Sequence, residues 1–175
     1  MEIERKFLIN KLPETLDLSK YTKKDIEQIY LYIDELSIIR IRKVTIKNNI
    51  KYKYTVKTGK KGISNQEYEV EISEEQYKRL YNNRNKNYII LNKTRYIIPY
   101  INKLNIELDI FSQEYEGLIF AEIEYESENQ AKEIKVPDWF DMDISNSITN
   151  SDLASKKNIL KDINLIYKKW YTFFS

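Results

Sequence analysis

The hydrophobic and polar residues of this chain alternate over many short stretches, the pattern of β-strands that bury one face. The alternation covers residues 2–9, 28–33, 37–47, 50–58, 66–72, 88–91, 93–100, 104–111 and 118–126. Asn48-Asn49 lies between two of these stretches and is a typical hairpin turn, which joins antiparallel strands. The pattern therefore predicts a fold dominated by antiparallel strands.

Helices are predicted at fewer places. Ser73-Glu74-Glu75-Gln76 and Ser127-Glu128-Asn129-Gln130 each begin as a capping box does, and they predict helices that end near Asn83 and Ile134. Beyond Pro137 the hydrophobic spacing becomes helical, near residues 151–159 and 162–173. We expect an α+β fold that is mainly antiparallel β, with its strands mainly in residues 1–126 and a C-terminal helical cap over about 137–175.

Composition narrows the chemistry that this chain can perform. Its 175 residues, of which 42% are hydrophobic, suffice for a single domain over residues 1–175. The 29 Lys and Arg residues nearly balance the 27 Asp and Glu residues, so nucleic acid is not an expected partner. Because the chain has no Cys and no His, disulfides, thiolate metal sites and histidine bases are excluded. Any chemistry must use carboxylates, Lys, Arg, Tyr and bound ions.

The sequence shows no sign of a membrane or an export route. The first residues lack the basic and then apolar order of a signal peptide. No apolar run approaches the roughly 20 residues that span a bilayer. We therefore expect a cytoplasmic protein without a membrane partner.

The charges are segregated along the chain although they nearly cancel overall. Residues 36–66 contain nine Lys or Arg and no acid, whereas residues 104–131 contain eight Asp or Glu and no base. One group of strands is thus cationic and another is anionic. Such separation is typical of a pocket for a metal-bound polyphosphate, where cations bind phosphate oxygens and carboxylates bind hard divalent ions.

Within the strands, like-facing positions carry the charges. Glu2, Glu4 and Lys6 share one face of the first strand. Later strands repeat this with Arg40/Arg42, Lys51/Lys53/Lys57, Glu67/Glu69/Glu71, Lys93/Arg95, Glu107/Asp109 and Glu122/Glu124/Glu126. These sets are either the solvated face of an open sheet or the interior of a closed barrel whose apolar residues face outward beneath helices. The second hypothesis is favoured by Arg40 and Arg42, which interrupt an apolar run.

The order of these motifs resembles that of the CYTH domain family, also called triphosphate tunnel metalloenzymes. The amino-terminal Glu-x-Glu-x-Lys signature corresponds to Glu2, Glu4 and Lys6. The later motifs are similar to Arg40-x-Arg42, Thr55-x-Lys57, Glu67-x-Glu69, Lys93-x-Arg95, Glu107-x-Asp109 and Ala121-Glu122-x-Glu124. The chain departs from the family near its end, where residues 137–141 lack a glycine and residues 147–150 lack a tyrosine.

The resemblance implies an eight-stranded closed antiparallel tunnel with a charged lumen and outer helices. It implies hydrolysis of inorganic triphosphate to diphosphate and phosphate, with Mg²⁺ or Mn²⁺ as cofactor. The expected phosphate clamp is Lys6, Arg40, Arg42, Lys57, Lys93 and Arg95, because guanidinium and ammonium groups suit phosphate oxygens. The expected metal ligands are Glu2, Glu4, Glu122 and Glu124.

Within this set, four residues are assigned to catalysis, namely Glu4, Lys6, Arg42 and Glu124. Four further acids are assigned to a supporting role in the lumen, where they orient water, hold a second ion or pair with the arginines: Glu67, Glu69, Glu107 and Asp109. Three alternatives stay open at this point. They are hydrolysis of an organic triphosphate such as a nucleotide or thiamine triphosphate, adenylate cyclase chemistry of the class that shares this fold, and non-catalytic binding of polyphosphate or RNA.

Overall fold

The computed structural model describes residues 3–59 and 66–155, together with residues 159, 161 and 163. The strands among these residues are β1 Ile3–Leu8, β2 Thr22–Ile33, β3 Ser37–Ile46, β4 Asn49–Thr58, β5 Gln66–Ile72, β6 Leu91–Pro99, β7 Asn105–Ser112, β8 Ile119–Tyr125 and β9 Met142–Asp143. The helices are α1 Glu74–Asn82, α2 Glu128–Glu133 and α3 Asn150–Ser155. Short 3-10 helices lie at Leu18–Lys20, Ile101–Lys103 and Gln113–Tyr115.

All of these strands belong to one antiparallel sheet. Their order is β5-β4-β3-β2-β6-β7-β8-β1-β9, so strands that follow one another in the chain are mostly neighbours. The cationic strands β3 and β4 lie on one side of β2, and the anionic strands β7 and β8 lie on the other side of β6. The prediction of an α+β fold dominated by antiparallel strands is therefore confirmed.

Local side chains fix the turns between strands. Asp34 Oδ1 accepts hydrogen bonds from the backbone N–H groups of Leu36 at 2.8 Å and Ser37 at 2.6 Å, which closes the β2–β3 turn. The β3–β4 turn consists of Lys47, with a φ of 54°, and Asn48. This turn begins one residue earlier than the sequence pattern indicated, and Asn49 instead pairs with Ile46.

The sheet has two faces of opposite character. The inner face carries side chains such as Lys6, Tyr30, Arg40 and Arg95, and the outer face carries the alternate, mostly apolar positions. Tyr30 on β2 lies near enough to Lys6 on β1 to contribute to the raised pKa of Lys6, although four strand spacings separate them in the sheet order. In a flat sheet this separation would be about 19 Å. The sheet therefore curls, and its inner face is the wall of a trough.

Two hydrophobic clusters cover the outer face. One contains Phe7, Leu108 and Ile123 of the sheet, and it packs beneath α2 and the residues that follow it, including Ile134 and Phe140. The other contains Ile29 and Ile41, which pack against Tyr77 of α1 with several partly buried aromatic and aliphatic side chains. The fold thus places much of its apolar core outside the curved sheet, because the inner face is occupied by charges.

A third cluster lies on the inner face, at one end of the trough. It joins residues from five different strands, Leu8, Tyr30, Leu91, Phe111 and Phe120, to the C-terminal segment through Ile144, Ile148, Leu153, Ala154, Ile159 and Ile163. The C-terminal segment therefore packs into the apolar end of the trough and leaves the charged positions at the other end.

The structure differs from the sequence prediction in several elements. β2 begins at Thr22 rather than residue 28, because its polar first half is held by backbone pairing with β6. Residues 88–90 are not in a strand, since Ile89 N–H donates to the Ala154 carbonyl at 2.8 Å and ties this segment to α3. The expected helical cap also contributes β9, which extends the sheet beyond β1. The helix predicted near residues 162–173 falls almost entirely outside the described residues.

The expected outer covering is incomplete over β5. Tyr68 and Val70 point away from the inner face, but they are 62% and 57% exposed. No described helix covers them, because α1 packs on the neighbouring strands around Ile29 and Ile41. Among the described residues, no helix is both long enough and apolar enough to span a membrane.

We predict that Phe120→Ala lowers the free energy of unfolding by about 3–5 kcal/mol, because it opens a cavity in the cluster that holds the C-terminal segment on the sheet. Phe120 is fully buried between Phe111 and the rest of this cluster. Urea denaturation followed by circular dichroism measures the change.

The matched control is Tyr68→Ala, which removes an exposed aromatic side chain from the outer face. We expect it to change the free energy of unfolding by no more than about 0.5 kcal/mol. Equal losses for the two variants would contradict the assignment of the core to the end of the trough.

Candidate active site

The inner face brings together ionisable side chains from β1 and β3 to β8. In the register of the sheet, Lys6 lies opposite Glu122, which lies opposite Glu107 on the next strand. On the other side of the trough, Glu67 and Glu69 of β5 lie opposite Lys57 and Thr55 of β4. Since the alternate residues of each strand share a face, the charged sets of neighbouring strands form one continuous surface.

On the anionic side, Arg95 is the centre of a buried network. Its guanidinium donates to both oxygens of Asp109, Nε to Oδ1 at 2.6 Å and Nη2 to Oδ2 at 2.7 Å, and to Glu122 Oε2 at 3.0 Å. Lys93 Nζ donates to Asp109 Oδ2 at 2.5 Å, and Lys6 Nζ lies 3.0 Å from Glu122 Oε1. Asp109 is fully buried, so these ion pairs hold the cations in fixed positions.

The network keeps its acids ionised despite their burial. Burial disfavours the charged form of Glu122, but Lys6 and Arg95 outweigh it and hold the pKa of this carboxyl far below its usual range. The pKa of Asp109 is lowered in the same way, because Arg95 and Lys93 overcome the effect of burial. Lys6 has a raised pKa, since Glu122 and Glu4 overcome its burial.

For Lys93, in contrast to Lys6, the effect of burial on the pKa outweighs the attraction of the neighbouring acids. Burial lowers its pKa to about 8, and the neighbouring Arg95 charge acts in the same direction, against the attraction of Asp109. The side chain also lies over the Phe111 ring, 5.5 Å from its centroid. The charge of this ammonium group is therefore sensitive to pH near neutrality.

On the cationic side, two glutamates of β5, Glu67 and Glu69, each bind two cations. Glu67 lies 3.5 Å from Arg40 Nη2 through Oε1 and 3.0 Å from Lys57 Nζ through Oε2. Glu69 pairs with Arg42, and its Oε1 lies 2.5 Å from Lys53 Nζ. These carboxylates are about one quarter exposed, which is more than Asp109 or Glu122.

The environment of Glu69 also fixes its charge. Thr55, which is fully buried, donates from Oγ1 to Glu69 Oε2 at 3.1 Å. Partial burial acts against ionisation, but the hydrogen bond from Lys53 and the charge of Arg42 lower the pKa of Glu69 to about 2. Glu69 is therefore a carboxylate over the whole physiological pH range.

Two donors on this side have no acceptor among the described residues. The Nε atoms of Arg40 and Arg42 are buried, and their N–H groups donate to no acceptor within the described part of the chain. A buried donor without an acceptor costs about 1–3 kcal/mol. An anion with several oxygen atoms at this position would satisfy both donors, because guanidinium groups match phosphate geometry.

Three of the carboxylates expected to bind a metal ion, Glu4, Glu122 and Glu124, lie on the paired strands β1 and β8. Glu4 lies directly opposite Glu124, and Glu122 is the next inner-face position along β8. Their oxygens are the hard donors that Mg²⁺ and Mn²⁺ prefer, so the residues fit such an ion by donor chemistry. Among the described residues, no group of three or more acids is already arranged to hold a metal ion, and Glu2 lies outside these residues.

The inner face also contains polar residues that the sequence motifs did not assign. Lys53 adds a cation beside Glu69. The sequence indicates its orientation, because Lys53, Thr55 and Lys57 are alternate residues of one strand and therefore share a face. Gln28 and Tyr30 of β2 lie on the same face, between the cationic side and the anionic side. Both residues are uncharged, so the charge pattern of the sequence does not distinguish them. Only the pairing of β2 with β3 and β6 shows that they lie between the two charged sides.

Comparison with known proteins finds a family match and several relatives of this chain. The CYTH domain matches residues 1–142. An inorganic triphosphatase from Nitrosomonas europaea is 30% identical over 145 residues, which cover 82% of this chain and 89% of the relative. An inorganic triphosphatase from Acetivibrio thermocellus is 31% identical over 167 residues, which cover 92% and 94%.

A solved structure agrees with these sequence relatives. The crystal structure of an inorganic triphosphatase superposes with a TM-score of 0.62 at 27% identity, and the match covers 89% of this chain and 95% of the other. The resemblance inferred from the motifs is thus confirmed over most of the chain. Both the sequence and the curled antiparallel sheet show that this chain belongs to the CYTH domain family.

Proposed function

We propose that this protein is a metal-dependent triphosphatase that hydrolyses inorganic triphosphate to diphosphate and phosphate. The observation that carries the proposal is the inner face, where six cations converge beside a row of carboxylates. The cations are Lys6, Arg40, Arg42, Lys57, Lys93 and Arg95. The relatives that are inorganic triphosphatases support the same substrate.

The six cations form the proposed phosphate clamp. Arg40 and Arg42 bring buried Nε donors that phosphate oxygens would satisfy. On the opposite wall, Lys6 and Arg95 are fixed by Glu122. A short linear polyphosphate between these walls would contact cations along its length, and this arrangement positions the terminal phosphoryl group for attack.

The proposed metal ligands are Glu4, Glu122 and Glu124, joined by Glu2, with Mg²⁺ or Mn²⁺ as the ion. When bound, such an ion neutralises phosphate charge and lowers the pKa of a water molecule. Glu4 and Glu124 lie opposite each other on β1 and β8, so they would hold the ion at one end of the clamp. Glu122 already pairs with Lys6, which links the ion to the phosphate-binding cations.

In the proposed reaction, water attacks the terminal phosphorus and the bond to the bridging oxygen breaks. Lys6 and Arg42 stabilise the negative charge on the phosphoryl oxygens and on the leaving diphosphate. Glu4 and Glu124 orient the attacking water, whose proton is accepted by a carboxylate or by bulk solvent. Four further acids keep the arginines of the clamp in position, because each of them pairs with one of these arginines. They are Glu67, Glu69, Glu107 and Asp109.

We further propose that the curled sheet forms a closed tunnel in one domain of residues 1–175. The approach of Lys6 and Tyr30 across the trough supports the closure. The cluster that joins Leu153, Ile159 and Ile163 to the sheet supports a single domain. A tunnel would exclude bulk water from the clamp, which strengthens its electrostatic interactions with the substrate.

The direct test is phosphate release from tripolyphosphate, with ATP and thiamine triphosphate in parallel, each with Mg²⁺, with Mn²⁺ and with EDTA. We expect metal-dependent release from tripolyphosphate at a kcat/KM at least about 10-fold above that for ATP, and its loss in EDTA. Formation of cyclic AMP, or a preference for an organic triphosphate, would contradict the proposed substrate.

A second prediction concerns the clamp itself. Arg42→Ala should lower kcat/KM for tripolyphosphate by about 10- to 100-fold, because hydrogen bonds between charged groups contribute about 1.5–3 kcal/mol. Steady-state phosphate release measures this loss.

Arg5→Ala is the matched control, because Arg5 lies beside Lys6 in the sequence but faces outward and pairs with Asp143 at 2.9 Å. We expect its kcat/KM to stay within about twofold of wild type, since an exposed ion pair contributes little. Equal losses in both arginine variants would show that the charged inner face does not bind the substrate.

A third prediction follows from the lowered pKa of Lys93, which is about 8. The ammonium charge is present below this pH and is lost above it, so KM for tripolyphosphate should rise in alkaline solution. Lys93→Arg keeps its charge throughout this range. The ratio of KM for Lys93→Arg to KM for wild type should therefore fall from about pH 7 to about pH 9.5, and titration of the substrate cancels in this ratio.

A constant ratio across this pH range would contradict the prediction. It would mean that the Lys93 charge either does not change or does not contribute to binding. Melting temperatures of both proteins at each pH provide the control for unfolding.

A further inference from the structure

Lys24, near the start of β2, is a further cation on the inner face of the sheet. It lies directly opposite Arg95 of β6, and Ile26, the next inner-face residue of β2, lies opposite Lys93. Since residues that pair directly across two strands share a face, Lys24 points to the same side of the sheet as the proposed phosphate clamp. Lys24 is partly buried there, whereas the side chain of the outward-facing Lys23 is 54% exposed.

Lys24 differs from the other inner-face cations because no carboxylate pairs with it within the described part of the chain. The other lysines and arginines at inner-face strand positions each form an ion pair. They are Lys6, Arg40, Arg42, Lys51, Lys53, Lys57, Lys93 and Arg95. The acid that follows Lys24 in the sequence, Asp25, faces outward and accepts a hydrogen bond from Thr94 Oγ1 at 2.9 Å.

The position opposite Arg95 is electrostatically unfavourable for a lysine. Like charges that lie directly opposite each other on neighbouring strands destabilise a sheet. The acids that pair with Arg95 all lie on β7 and β8, on the far side of Arg95 from β2, and they are Glu107, Asp109 and Glu122. An anion bound between Lys24 and Arg95 would offset their repulsion. Lys24 is therefore better explained by ligand binding than by a contribution to stability.

Lys24 lies toward the open end of the trough, which is the end away from the apolar cluster around the C-terminal segment. Ile33, at the other end of β2, packs against that cluster, and Leu91 of β6 belongs to it. On these two strands, the charged inner-face residues farthest from the cluster are Lys24 and Arg95. A triphosphate in the clamp would therefore have one end beside this pair. An organic group attached to a triphosphate would also lie at this end, because apolar side chains fill the other.

We propose that Lys24 is a specificity-determining residue that binds the terminal phosphate at the open end of the trough and thereby favours inorganic triphosphate over nucleoside triphosphates. This inference rests on the proposed function, because it concerns selectivity at the same site. The terminal phosphate of tripolyphosphate carries about two negative charges above its second pKa, which is about 6 for phosphate groups. The α-phosphate of ATP carries about one and is bonded to an uncharged ribose, so it attracts an ammonium group less strongly.

The test measures the dissociation constants of tripolyphosphate and ATP by calorimetry at about pH 7.5 without divalent metal. Lys24→Met keeps a side chain of similar length and removes the charge. We expect it to weaken tripolyphosphate binding by about 10-fold and ATP binding by no more than about threefold, because the lost hydrogen bond joins two charged groups. Lys24→Arg keeps the charge and should bind tripolyphosphate within about threefold of wild type.

Lys23→Met is the matched control. Lys23 precedes Lys24 on β2, but it faces outward and its Nζ lies 3.4 Å from Asp25 Oδ2. This variant loses the same net charge as Lys24→Met, and we expect both dissociation constants to stay within about twofold of wild type. Losses in Lys23→Met as large as those in Lys24→Met would overturn the proposal, because net charge alone would then account for the effect.

The melting temperature without ligand gives a second readout. Lys24→Met should melt at the same temperature as wild type or above it, because it removes a repulsion with Arg95. A lower melting temperature together with equal weakening of both ligands would identify a structural role for Lys24 and overturn the proposal. Unchanged tripolyphosphate binding in Lys24→Met, or failure of Lys24→Arg to retain it, would overturn the contact as well.

Phosphate release with Mg²⁺ separates this inference from the proposed function. If wild type hydrolyses tripolyphosphate but Lys24→Met keeps the wild-type ratio of the two dissociation constants, the selectivity role fails and the triphosphatase stands. If wild type prefers tripolyphosphate in binding, loses this preference in Lys24→Met and releases no phosphate, the contact is supported and the proposed hydrolysis fails. If wild type binds neither ligand, or binds ATP more tightly, both proposals are overturned.

Discussion

Mutual repulsion among cations on one concave surface is the constraint that the rest of this structure depends on. Arg95, Lys93 and Lys6 lie close together with little access to water, so their charges are poorly screened. Asp109 and Glu122 offset this repulsion from the neighbouring strands. Removing either partner of such a pair would leave an uncompensated buried charge, at a cost of about 3–5 kcal/mol.

This constraint determines where the hydrophobic core can lie. An antiparallel sheet assigns alternate residues to opposite faces, so a charged inner face requires the apolar residues to face outward. Helices α1 and α2 cover much of that outer face, and the C-terminal segment fills the apolar end of the inner face. The outward positions of β5, Tyr68 and Val70, stay exposed because the covering helix packs on the adjacent strands.

The alternation of polar and apolar residues is sufficient to predict which side chains share a face of the sheet. Alternate residues of a strand share a face, and successive residues point to opposite faces, whichever residues of the neighbouring strand they pair with. It predicts that Lys6 and Glu122 face the same interior, and their 3.0 Å contact agrees with this. It does not predict the first half of β2, which is polar on both faces and depends on pairing with β6. Gln28 and Tyr30 were missed for a related reason, since a neutral pair becomes notable only when neighbouring strands place charges around it.

The two sides of the clamp differ in how firmly their carboxylates are held. Asp109 is fully buried and receives two hydrogen bonds from Arg95, whereas Glu67 and Glu69 are about one quarter exposed. A phosphate that competes for the arginines therefore displaces Glu67 or Glu69 at less cost than Asp109, because an exposed carboxylate regains its hydration. In the proposed function, the anionic side would therefore keep its ion pairs when the substrate binds. On the cationic side, Glu67 and Glu69 pair with Arg40 and Arg42, and in the proposed function the more highly charged substrate would replace these carboxylates.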